Sequence, residues 1–124
     1  MKRNMDLVRA LLLDVEANQL LSNGRFRLEA TGYSRQDISD HLALMRQGGL
    51  VWQEQLARFV TATGEESGSV PAALTWHGHE FLDQIRSEDV WGRVKEHALR
   101  VSGGLSLEVI KFFIPEVLRQ LIKQ

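Results

Sequence analysis

The chain has 124 residues, 44% of them hydrophobic and 25% charged, with a formal net charge of −1. That is the composition of an ordinary folded domain with a core of its own. The charge is not that of a general nucleic-acid binder, which gains affinity by neutralising phosphates, although a local basic face remains compatible with it. No cysteine is present, so disulfides and thiolate metal sites are excluded. Arg9 and Asp14 interrupt the apolar run after Lys2 and Arg3, so no signal peptide is expected and a cytoplasmic location follows.

In chain order, residues 4–17 predict a helix. Met5, Val8, Leu11, Leu12 and Val15 recur at helical spacing, and Asn4 can accept from the free amides at its start. Arg25 to Glu29 alternates polar and apolar and reads as a short strand, with Phe26 and Leu28 inward. The next helix is the best signalled. Ser34 is a good N-cap, Asp37 takes the capping-box position, and Tyr33 and Ile38 suit a hydrophobic staple. Ile38, Leu42 and Met45 form its buried stripe, with His41 at the edge, and Gly48-Gly49 ends it.

Residues 50–75 read as a long hairpin. Its strands are Leu50 onward and Val70 to Leu74, and Thr63 to Ser69 forms a polar tip. Within it, residues 53–62 fit either strand or a helical turn. Two or three helices follow. One runs from about Trp76 to Arg86 with Thr75 as N-cap. A second starts after Ser87, with Val90, Trp91, Val94, Ala98 and Val101 as apolar positions, and Gly103-Gly104 breaks it. The last runs from Leu107 to Ile122, and Pro115 inside it predicts a kink or break.

The stretch Leu74 to Leu82, "LTWHGHEFL", invites a metal reading through His77 and His79. In a helix these two side chains point about 200° apart. Only His79 and Asp83 then share a face, and two ligands are too few for a typical zinc site. The plainer reading is a tightly packed helix start, with Gly78 on the buried face allowing another element to approach closely. No phosphate loop and no nucleophile elbow is present. The expectation is therefore no enzyme, no catalytic residues, no cofactor and no metal.

"ISDHLALMRQGGLV", residues 38–51, resembles the recognition helix and following segment of winged-helix regulators of the MarR and ArsR type, and Leu74-Thr75-Trp76-His77-Gly78 resembles their wing-closing segment. That resemblance implies an α+β, mostly helical fold. It would have a winged-helix-like core (helix, short strand, helix, β-hairpin wing, helix) and a C-terminal helical extension. The corresponding organisation is residues 1–88 as the winged-helix-like domain, with 89–124 packed on it. Double-stranded DNA would be met by Arg35, Gln36, Ser39 and Arg46, with Arg25, Arg27 and Arg58 near the wing. Asp37 and Asp40 balance Arg35 and Arg46, and Glu65 and Glu66 occupy the wing tip, so the same surface also fits a protein-interaction module without DNA binding. Little room exists between Asn18 and Tyr33 for the first helix of a helix-turn-helix.

The whole chain also resembles a small family of bacterial, phage and prophage proteins whose shared domain has no assigned function. The resemblance rests on "MKRNMDLVRALLL", "YSRQDISDHLALMRQGGLV", "LTWHGHEFLDQIR" with "VWGRVKE", and "GGLSLEVIKF". It implies a prophage setting and a regulatory role.

The terminal helix is apolar over most of its circumference. At 1.5 Å per residue it reaches roughly 24 Å, short of the ~30 Å hydrocarbon core, and charges interrupt it, so no membrane span is expected. Two readings stand for its excess apolar surface. One is packing within the chain; the other is a homodimer interface through Phe113, Val117, Leu118 and Leu121.

Overall fold

The computed structural model describes residues 2–17, 26–28, 30–52, 56–60, 66–71 and 73–123; for 26–27, 56–60 and 66–71 it describes the backbone alone. Five helices dominate it: α1 (Met5–Ala17), α2 (Arg35–Gln47), α3 (Trp76–Ile85), α4 (Glu88–Ser102) and α5 (Leu107–Ile122). Each begins where the chain offers an acceptor to its first free amides. Asn4 Oδ1 accepts from the N–H groups of Asp6 and Leu7. Ser34, Ser87 and Ser106 each accept from the amide three residues on. Gly49 and Gly103 follow α2 and α4 at φ 73° and 74°, left-handed values that a side chain would make costly.

Short extended stretches lie between the helices: β1 (Phe26–Arg27), β2 (Leu56–Val60) and β3 (Glu66–Pro71). Their backbones pair in the order β1-β2-β3, parallel then antiparallel, with an irregular register between Arg58 and Val60.

The α+β, winged-helix-like core expected from the sequence is overturned: the fold is helical. A winged helix needs a helix one short turn before its recognition helix, and a hairpin whose inward side chains close the core. Among the described residues nothing between Ala17 and Arg35 is helical. The described buried apolar side chains come from the five helices, with Leu28, Leu50, Val51 and Leu74 from the connections. The motifs behind the expectation are local. They specify a capped helix with a glycine stop and a tight helix start, and those features do not fix what surrounds them.

The chain divides into two compact units, residues 1–80 and 81–124. In the first, α1 packs on α2. Met5, Leu7, Val8, Leu11, Leu12 and Val15 meet solvent little or not at all, as do Ile38, Leu42 and Met45. Two polar residues share this interior. Asp14 accepts from the N–H of Ala30 at 3.0 Å, which ties the chain before α2 to the side of α1. His41 accepts from the N–H of Asn4 at 2.8 Å through Nε2, and Nδ1 lies 2.7 Å from the Asp37 carbonyl. Both contacts are satisfied by the neutral ring with its proton on Nδ1.

The start of α3 is pressed against the end of α2. A Cβ on Gly78 would fall inside the Leu50 carbonyl group, 2.9 Å from its carbon. Thr75 fixes this approach. Its hydroxyl donates to the Gly49 carbonyl and accepts from the Gly78 N–H, and its own N–H donates to Leu50 at 3.1 Å. The close contact expected of Gly78 is therefore present, and its partner is backbone.

The second unit holds the end of α3 and a helical hairpin, α4 against α5. Val94, Ala98, Ile110, Ile114 and Val117 are almost wholly excluded from water. His97 stacks on Phe113 with centroids 5.8 Å apart. Val101 continues the apolar stripe of α4 but is 69% exposed, because the stripe reaches the last turn with nothing covering it. Pro115 does not break α5, which runs unbroken to Ile122. The proline is solvent-facing. On that side its ring and missing N–H disturb the helix least, since water can reach the carbonyl one turn earlier.

Candidate binding surfaces

The buried side of α2 is set by Ile38, His41, Leu42 and Met45. At about 100° per residue, Gln36, Asp40, Ala43 and Gln47 face directly away from it. Arg35, Ser39 and Arg46 line one edge of that outer face, and Asp37 lies toward the other. The helix is neutral in total but its charge is segregated around the axis. Gln36 Nε2 donates to Asp40 Oδ1 at 2.9 Å, so these two outermost groups are already paired with each other.

Four of the seven residues expected to meet DNA are thereby gathered on the solvent side of one helix. Arg35 and Gln36 are exposed, and Ser39 and Arg46 half-exposed. Arg25 lies outside the described residues. Arg27 and Arg58 are placed by backbone alone, in β1 and β2, and their side chains lie outside the description.

The "LTWHGHEFL" histidines are not brought together with a third ligand. His77 and His79 are exposed. His79 Nδ1 stands 3.8 Å from Glu16 of α1, and Asp83 is bound to Arg86 at 2.9 Å. Among the described residues no three His, Asp or Glu side chains are grouped for a metal ion. The short-range ion pairs Arg86–Asp83, Arg93–Asp89 and Arg100–Glu96 lie on exposed helix faces. Pairs of that kind contribute little to stability.

On α5 the four interface candidates separate. Phe113 and Val117 are 7% and 0% exposed and belong to the chain's own core, while Leu118 and Leu121 are half-buried. The large apolar groups that face water are Phe112, at 73%, and Ile122, at 81%. Phe112 meets Phe113 edge-on at 5.2 Å, so an aromatic series runs from His97 through Phe113 to an open end. Sequence reasoning missed Phe112 because a helix apolar almost all round does not say which side is covered. Its neighbourhood to the charged Glu108 and Arg119, on the helical phase opposite Ile110, was the available signal. Trp52 and Trp76, 54% and 80% exposed, also face water, as do Leu99 and Val101 of α4. No helix among the described residues is long and apolar enough to cross a membrane.

These features define a small helical protein that presents a charge-segregated helix and a few exposed aromatic side chains. The profile of the family described as "Hypothetical protein (DUF2513)" matches residues 2–105, and the chain belongs to that family. It is also similar to an "Uncharacterized protein" of Haemophilus influenzae, 31% identical over 122 residues, covering 98% of this chain and 99% of the relative. No solved structure matches it.

Proposed function

We propose that the protein is a cytoplasmic binding module with a regulatory role, not an enzyme, and that α2 meets double-stranded DNA. The observation that carries this reading is the segregation of charge around α2. Arg35 and Arg46 share one edge with Ser39, while Asp40 is occupied by Gln36. Cationic and hydroxyl groups along one helix edge suit phosphate oxygens, and arginine also suits the guanine edge in the major groove. The prophage setting implied by the sequence resemblance belongs to this reading. Fluorescence anisotropy on a mixed-sequence duplex tests it. Affinity should fall steeply with salt, and Arg35→Glu with Arg46→Glu should lower it by about tenfold or more while flattening the salt slope. No binding to any duplex at low salt would remove the DNA reading.

A second reading, a protein-interaction module without DNA binding, is favoured by the exposure of Trp52 and Trp76. Exposed tryptophans are characteristic anchors of protein interfaces. Under this reading Trp76→Ala, and not the arginine reversals, abolishes capture of a partner from the host lysate.

A further inference from the structure

The outer face of α5 is self-complementary, and we propose that two copies of this chain pair through it, antiparallel, about a two-fold axis. The face opposite the buried Ile110, Ile114 and Val117 carries Glu108, Phe112, Pro115 and Arg119, all exposed. Ile122 extends it toward the end of the helix. Glu108 and Arg119 lie equally far on either side of the midpoint between residues 113 and 114, and so do Phe112 and Pro115. A two-fold axis passing beside α5, level with that midpoint, therefore sets each Glu108 against the partner's Arg119, at both ends of the contact. The same operation brings Phe112 against the partner's Phe112. Three residues at 1.5 Å place the two rings about 4.5 Å apart along the helix direction, within stacking reach.

Charge selects a second copy as the occupant. A one-helix face with an acid at one end, a base at the other and an aromatic group near the centre is complementary to itself when reversed. Among the described residues neither Glu108 nor Arg119 takes part in a side-chain ion pair within the chain. Their charges are available to a partner. Phe112 is 73% exposed, and pairing removes its ring from water. Phe113 and Val117 take no part, because they already fill the hairpin core. This pairing is independent of the DNA reading, since it uses neither α2 nor the exposed tryptophans.

The test is a charge swap on the full chain, read by sedimentation equilibrium. Glu108→Arg sets arginine against arginine at both ends, and Arg119→Glu sets glutamate against glutamate. Each should weaken self-association about tenfold or more. The double swap, Glu108→Arg with Arg119→Glu, restores opposite charges and should restore the dimer. Mixing the two single variants should produce a heterodimer, because one face is then wholly basic and the other wholly acidic. Phe112→Ala should weaken the wild-type dimer without altering the helical circular dichroism. Heterodimer formation cannot arise from misfolded chains, so it separates a lost interface from a lost fold. A wild-type chain that stays monomeric at high concentration overturns the proposal. So does a dimer whose strength is unchanged by either single reversal.

Discussion

Residues 1–80 and residues 81–124 are held together by different means. The first unit is tied by directional groups set into its interior. The His41 ring bridges Asn4 and the Asp37 carbonyl, Asp14 takes the Ala30 amide, and Thr75 clamps Gly78 against Leu50. The second unit is built on a helical hairpin filled with Val94, Ala98, Ile110, Ile114 and Val117, and the ion pairs Arg93–Asp89 and Arg100–Glu96 lie on its exposed faces. Apolar packing is non-directional and tolerates changes of shape that conserve volume. A buried polar group must find its partner or carry the cost of desolvation. The first unit should therefore respond to the chemistry of a substitution, and the second to its size.

The largest effect is expected at the one place in the first unit where size alone decides, Gly78→Ala, because there the tie is a backbone-to-backbone contact. One added methyl group collides with the Leu50 backbone, which no rotamer can relieve, and the loss should be at least about 3 kcal/mol. Urea unfolding of the purified variant measures it; a near-neutral result would mean that α3 does not approach Leu50 this closely. Ile110→Ala in the second unit should cost about 3 kcal/mol, while Ile110→Val should cost only about 1 kcal/mol. A graded loss of this kind is the mark of volume. His41→Phe is the complementary case. It keeps a ring of similar size and strips both contacts, leaving Asn4 N–H and the Asp37 carbonyl to find other partners, so about 2 kcal/mol should go. If His41→Phe proves neutral in thermal unfolding, the polar bridge is incidental and the contrast between the units fails.

Much of the helical layout was legible in the sequence. The limits of all five helices lie within about a residue of those expected from periodicity and capping, because a cap acts over three residues and a helical stripe over a few turns. Gly78 was legible too, as a buried glycine at the start of a helix. The polar partners were not. Nothing near Asp14 announces Ala30, and His41 read only as a residue on the edge of a stripe. Each meets a group distant in sequence, Ala30 in one case and Asn4 in the other.

The candidate surfaces divide along the same line. The outer face of α2 follows from helical phase alone, since its four buried residues are regularly spaced. The pairing of Gln36 with Asp40, which changes what that face offers, became visible only with side chains in place. On α5 the sequence reading places Phe113 on an outward face, and the structure buries Phe113 and leaves its neighbour Phe112 in water.

What the sequence determined by itself was local: five amphipathic or apolar helices, their serine, threonine and asparagine caps, and the glycines that stop them. The tertiary structure decided the rest. It replaced the expected winged-helix core with a helical one, buried Phe113 and left Phe112 in water, uncovered Val101, and let α5 run through Pro115. Each of these depends on which neighbour covers which face. Burial is a property of packed surfaces, and a periodic pattern states only that a face is apolar, not what will lie against it.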